Sequence, residues 1–222
     1  MATAAASPRT RLRRAPQRGH HDRATIDAIL DEALVCHLGF TDAEGQPFVV
    51  PTLHARVGDV VYVHGSAASR AVRTLAGGAR ACLTATLVDG LVLARSAFHH
   101  SVNFRSVVVL GELHDVPGPE ERLRALEAFT ERLLPGRWGV VRPPDAQELK
   151  GTRVLALDLG EASAKVRTGA PVDEEADLAL GVWAGVLPLA TVAGAPEPDD
   201  HVAAGTPVPE HVAAWRATRT RR

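Results

Sequence analysis

From residue 36 to residue 114, apolar side chains recur at every second position in one short segment after another. A period of two belongs to strands, whose successive side chains point to opposite faces. Residues 36–41, a DAEGQ turn at 42–46 and residues 47–55 read as a hairpin. Gly58-Asp59 then turns the chain into VVYVH at 60–64. In 80–88, Ala81, Leu83, Ala85 and Leu87 share one face, and Cys82, Thr84 and Thr86 share the other. Asp89-Gly90 reads as a hairpin turn, with 91–98 as the returning strand. SVVVLGELH at 106–114 is apolar on both faces, as an interior strand is, and VLALDL at 154–159 is the last clear strand. So many closely spaced strands predict a mainly β chain with flanking helices. A closed barrel fits better than a doubly wound sheet, because closure removes the exposed edges.

The helical period appears in few places. Ile26, Ile29, Leu30, Ala33 and Leu34 form one apolar stripe over 22–35, with Asp22 placed to cap it. Residues 67–76 form a short helix closed by Gly77-Gly78, and 119–134 an amphipathic one opening at Pro119. A further short helix is read at 174–184. The folded domain is expected over 21–193. Residues 1–20 hold Arg9, Arg11, Arg13, Arg14 and Arg18 but no aromatic and no apolar run, which predicts a solvated, disordered basic tail. Residues 194–222, rich in Pro, Gly and Asp at their start, read as an extended C-terminal tail.

Charge and cysteine content exclude several functions. With 25 Lys and Arg against 26 Asp and Glu, the formal net charge is −1, so no global attraction to nucleic acid or acidic membrane is expected. No apolar run approaches the roughly 18 residues of a membrane span. Two cysteines, Cys36 and Cys82, suit a reducing compartment and point to the cytoplasm. Ten histidines are present, but none pairs at the helical spacing of a metal site, and adjacent His99 and His100 point opposite ways on a strand. No metal centre is expected. Neither a G-x-G-x-x-G turn, a phosphate-binding P-loop nor a G-x-S-x-G elbow occurs.

Two segments carry candidate chemistry. The first is His64-Gly65-Ser66-Ala-Ala-Ser69-Arg70, running from a strand end into a helix start. Hydroxyls, a glycine and free backbone N–H groups there suit an anion, and the Arg70 guanidinium suits phosphate. A capped helix with a surface arginine fits the same spacing. The second runs from Asn103 through Arg105 and Ser106 to Gly111, a polar cluster feeding an apolar strand. Taken alone, that strand end reads as a strand entry with solvated polar residues, and a ligand there is the alternative.

The order HGSAASRA, ACLTATLVDGLVLARSAF, FRSVVVLGEL resembles the pyridoxamine 5′-phosphate oxidase-like family of FMN-binding split barrels, in its nitroimidazole-resistance-like branch. The resemblance covers residues 22–169. It implies an FMN phosphate at Ser69-Arg70 with Gly65 and Ser66 alongside, and a flavin ring bordered by Val49, Val50, Pro51, Thr52 and His64. It also implies that Arg105-Ser106 reach the flavin from a partner subunit, and that Trp183 covers it. The expected function is an FMN-dependent oxidoreductase moving electrons from a reduced nicotinamide to a small acceptor, within a homodimer. The dimer also suits the sequence, since Val107–Leu110 and Leu91–Ala94 offer apolar side chains on both strand faces. The arginine/histidine substrate motif of vitamin B6 oxidases is not recognisable, so that reaction is not implied. The alternative is a non-catalytic protein that stores or senses flavin or haem, with His37, His54 and His64 as haem candidates; a deazaflavin is a third possible cofactor.

Overall fold

A computed structural model describes residues 5–218 of the chain. Ten strands form one antiparallel sheet: β1 (Gly19–His20), β2 (Val35–Thr41), β3 (Pro47–Val57), β4 (Val60–Ser66), β5 (Arg80–Leu93), β6 (Ser101–Glu112), β7 (His114–Asp115), β8 (Thr152–Asp158), β9 (Ala162–Arg167) and β10 (Gly185–Pro188). Five helices flank it: α1 (Arg23–Glu32), α2 (Arg70–Ala76), α3 (Pro119–Leu133), α4 (Ala146–Gly151) and α5 (Glu210–Thr218). The order across the sheet is β1-β9-β6-β5-β2-β3-β4-β8-β7, with β10 added beside β5. Strand β3 serves both halves: residues 47–53 pair with β2 and residues 54–57 with β4.

The alternation read from sequence decides which side chains go inside. Leu38, Val61, Val63, Leu83, Ala85, Val107, Val109, Leu155, Leu157 and Ala164 fill the barrel. Helix α1 plugs it with Ile26, Ile29 and Leu30, each burial contributing about 1.5–3 kcal/mol. Its start is set as expected: the Asp22 carboxylate accepts the Thr25 N–H at 2.8 Å. Its end is held by Arg132 of α3, which donates to the carbonyls of Leu30, Asp31 and Ala33. Those carbonyls have no partner within the helix, so a cation there is doubly favourable. Helix α3 packs outside β3, β4 and β8 through Ala125 and Phe129 against Ala55, Tyr62 and Val154. At Gly111 a Cβ would lie 2.7 Å from Leu157 Cδ1, which brings β6 and β8 together where the barrel closes. The split β-barrel fold is present.

Five expectations need correction. Asp89-Gly90 is not a turn: β5 runs unbroken for 14 residues, and the register shifts between Val88 and Gly90 so that Asp89 is bulged out. The strand persists because β6 pairs with it on both sides of the bulge and β10 seats on it, the Leu187 carbonyl lying 3.0 Å from where a Gly90 Cβ would be. Residues 5–20 are not a free tail. Thr10 is buried, Arg9 pairs with Glu161, and β1 joins β9. Only a short 3₁₀ turn, Glu175–Ala179, occupies the helix read at 174–184. The C-terminal segment is extended only as far as α5, and β9 and β10 follow the strand read as last. The parts of both tails at 1–4 and 219–222 lie outside the described residues.

Candidate functional site

The His64–Arg70 segment leaves β4, turns and opens α2. The turn is tight: Ser69 N–H donates to the Ser66 carbonyl at 2.9 Å, and a Gly65 Cβ would meet Val72 Cγ2 at 2.8 Å, so glycine is required there. Ser69 caps α2 through its backbone only, leaving its hydroxyl out of the cap, while Ser66 is exposed. Arg70 is exposed and lies 4.2 Å over the Phe48 ring, with no carboxylate beside it among the described residues. The phosphate-type donors expected from sequence are therefore gathered in one place.

The strand matching the flavin edge divides between two faces. Val50 packs on the core beside Phe48. Val49 (69% exposed) and Pro51 alternate with it on the outer face, where Pro51 stands next to His37, His37 next to Thr84, and Thr84 next to Val108. This outer face is broad and mostly uncharged. Thr52 is half-buried opposite Cys36, away from Pro51. The Val49–Thr52 group is thus not one surface, because adjacent strand residues face apart.

His64 turns away from that face. Its ring meets Phe129 of α3 edge-on at 4.4 Å, and burial holds its pKa below the ordinary value. Its Nδ1 is buried without a partner. It lines a cavity of about 420 Å³ with Leu126, Trp138, Arg142, Pro144, Glu148 and Thr152. Arg142 there is bonded to Glu148 at 2.6 and 2.8 Å, which pulls the Glu148 carboxyl down to about 2. Apart from His64, none of these residues was singled out by sequence. They meet only because α3, α4 and β8 pack together, and no local spacing signals that. Of the other histidines, His37 is exposed on the outer face. His54 is buried, with Nε2 already bonded to the Leu30 carbonyl at 2.9 Å.

Two more expectations change. Arg105 points to the barrel end and is engaged by two carboxylates, Glu32 at 2.5 and 2.7 Å and Asp89 at 2.7 and 2.8 Å. A guanidinium so fully paired is not available to a cofactor. Ser106, its neighbour, lies on the outer face opposite Lys165. Trp183 is 67% exposed, its ring lying over Gly185, where a Cβ would be 2.9 Å away. Cys36 is no nucleophile, since burial pushes its thiol up to about 12. Among the described residues no group of three His, Cys, Asp or Glu gathers to hold a metal ion, and no helix is long and apolar enough to cross a membrane.

Comparison with known proteins bears on this geometry. Among solved structures, the flavocytochrome Anf3 of Azotobacter vinelandii is 41% identical, the match covering 95% of this chain and 98% of that one, with a TM-score of 0.89. The FAD- and haem-binding protein of Mycobacterium smegmatis is 37% identical over 90% of this chain and 97% of its own, with a TM-score of 0.86. A Bacteroides thetaiotaomicron protein assigned to 5-nitroimidazole resistance is 22% identical over 67% of this chain and 86% of its own; at a TM-score of 0.57 it shares the fold alone. No curated protein sequence matches. The sequence profile of pyridoxamine 5′-phosphate oxidase matches residues 22–166, and the chain belongs to that family.

Proposed function

We propose that this chain binds a flavin and a haem and works as a cytoplasmic oxidoreductase, passing electrons from a reduced nicotinamide to a small acceptor. The observation that carries the reading is the 41% identity, over 95% of the chain, to a protein named a flavocytochrome. A bound flavin exchanges electron pairs with single electrons, and a haem carries single electrons. The residues fit both groups. Ser69 and Arg70 provide a hydroxyl and a planar fork for the flavin phosphate, and the outer face around Val49, Pro51 and Ser106 provides a wall for its ring. A second copy seated on that face completes the flavin site, which makes the working unit a homodimer. The cavity beside His64 lies in the size range of cofactor pockets, about 300–1,000 Å³. Burial keeps the His64 imidazole neutral and so able to offer a lone pair to iron, while Leu126 and Trp138 wall the cavity. FMN is the expected flavin, and the FAD named for the mycobacterial relative is the form to test beside it.

The absorbance spectrum of the purified protein tests the reading. A Soret band together with the near-ultraviolet and blue bands of an oxidised flavin is expected; a deazaflavin lacks the blue band. A protein that stays colourless after incubation with FMN, FAD and haem refutes it. His64→Ala should lose the Soret band and keep the flavin bands. Arg70→Ala should weaken FMN binding by roughly 30- to 150-fold, the scale of a hydrogen bond to a charged group, and leave riboflavin binding unchanged. A storage or sensing role, which the binding-protein name of the mycobacterial relative favours, predicts that reduced nicotinamide leaves the flavin bands unbleached.

A further inference from the structure

The segment ahead of β1 is held in place and left positively charged. Ser7 N–H donates to Thr10 Oγ1 at 3.1 Å, Thr10 N–H donates to the Ser7 carbonyl at 3.2 Å, and Thr10 is buried. Arg9 is tied to Glu161, just before β9. The methyl carbons of Leu12 lie 3.4 Å from where a Gly19 Cβ would be, and Gly19 pairs with Lys165. Arg11 and Arg13 therefore flank a residue anchored at the sheet edge, and Arg14 follows them. All three are exposed, and among the described residues neither they nor Lys165 has a carboxylate partner. On the same strand, Arg167 donates only to the amide of Asn103, and burial and then the nearby charge of Arg18 hold its pKa below the ordinary range. Elsewhere such charges are answered: Arg56 has Asp31, Arg95 has Asp173, Arg105 has two acids and Arg142 has Glu148. In a chain of net charge −1, this edge is a local exception. Two polyanions suit it poorly. Residues 5–20 hold no Phe, Tyr or Trp to stack on a base, and Leu12, their one large apolar residue, is turned onto Gly19 rather than offered to a bilayer. Fixed guanidinium forks suit the carboxylates of a protein surface.

We propose that this edge docks a small acidic electron-carrier protein, whose carboxylates pair with Arg11, Arg13, Arg14 and Lys165. On the electron-transfer reading, on which this partner rests, the edge borders the flavin: Lys165 stands opposite Ser106, on the outer face that walls the ring. A carrier seated there is a second source of electrons beside the nicotinamide. Each encounter oxidises the carrier by one electron, and two encounters, with protons from water, supply the electron pair that reduces the flavin. Because the charge is local, it steers and orients the carrier without drawing polyanions to the whole molecule.

Calorimetric titration of the full chain, without flavin, tests the docking, with plant-type ferredoxin and flavodoxin as the acidic carriers. One carrier per chain is expected at low ionic strength, weakening about tenfold or more as salt brings the screening length down to about 8 Å. The triple variant Arg11→Gln/Arg13→Gln/Arg14→Gln should weaken binding by about tenfold or more. Arg73→Gln/Arg124→Gln/Lys150→Gln removes the same charge from exposed positions on α2, α3 and α4 and should leave binding within about threefold of wild type. Undetectable binding of both carriers, or a loss no larger in the arm variant than in this control, overturns the proposal. So does tighter arm-dependent binding of a duplex oligonucleotide or of phosphatidylglycerol vesicles. A sedimentation coefficient lowered by the arm variant assigns the arm to contact between copies of this chain and overturns it too. Anaerobic mixing of the flavin-loaded protein with reduced ferredoxin then reads electron delivery. Bleaching of the flavin bands, slowed about tenfold in the arm variant at low salt, supports the proposal, and binding without bleaching of a loaded chain overturns it. Carrier binding by a chain that takes up no flavin upholds the docking edge and refutes the flavin reading; a flavin-loaded chain that binds neither carrier does the reverse.

Discussion

Arg105 and Arg167 are one step apart in the same ladder, Arg105 facing Val166 and Phe104 facing Arg167, yet they are handled in opposite ways. Arg105 belongs to the junction at the end of α1. There Glu32 and Asp89 neutralise it, and its pKa rises because their hydrogen bonds favour the charged form. Beside that junction, Arg132 supplies the missing donors of the helix end and the His54 ring donates to Leu30. Every charge has been answered within the chain. Arg167, on the outer face, has an amide and another cation for company. The lesson is that an arginine near a site is structural or receptive according to what already pairs with it. Its position along the strand says little.

Three measurements sharpen or break that contrast, and the largest effect is expected at His54. Burial and the nearby Arg132 lower its pKa from 6.5 to about 4, so between those values the unfolded chain holds a proton that the folded chain lacks. The stability it supports is complete above pH 6.5 and is lost as the pH falls toward 4, by about 3 kcal/mol. Urea unfolding across that window should show the decline, and His54→Gln should flatten it. An unchanged slope in the variant means that other groups carry the acid sensitivity.

Next in size is Arg105→Ala, which leaves Glu32 and Asp89 facing each other. A loss of about 2 kcal/mol in urea unfolding is expected, less than for a fully buried pair because Glu32 is 40% exposed. Flavin binding should survive that change at permissive temperature. The smallest effect is expected for Arg167→Gln: a stability within about 1 kcal/mol of wild type, since it removes an unpaired charge and keeps a donor for Asn103. If Arg167→Gln costs as much as Arg105→Ala, the two arginines are both structural and the contrast fails.

The alternation of apolar residues made the barrel legible, down to the Asp22 cap and the inward Leu83, Ala85, Val107 and Val109. Local rules failed where distant residues overrode them. Asp89-Gly90 carries a hairpin signal, but its carboxylate answers Arg105 and its glycine admits β10, and neither partner is visible in the dipeptide. His64 and Arg105 were placed at the flavin by resemblance. Phe129 of α3 and Glu32 of α1 redirect them, and both lie on other elements. Arg167 sits in SAKVRTGAP, a segment within the family resemblance where no local spacing marks a site. Its interest arises only when Asn103 and the N-terminal Arg18 meet it in the folded chain.

Strand β1 also bears on when the molecule can finish folding. Gly19 and His20 emerge early in synthesis, yet their partners Ala164 and Lys165 belong to one of the last strands made, as does β8, the partner of β4. The amino-terminal half therefore leaves the ribosome with unpaired strand edges and a barrel still open where β8 and β9 will close it. Pairings across such long stretches of chain are slow to form, and edges left open meanwhile invite association with other chains. A nascent chain halted before β8 should depend on chaperones that shield apolar edges, and the same chain extended past β9 should be released from them.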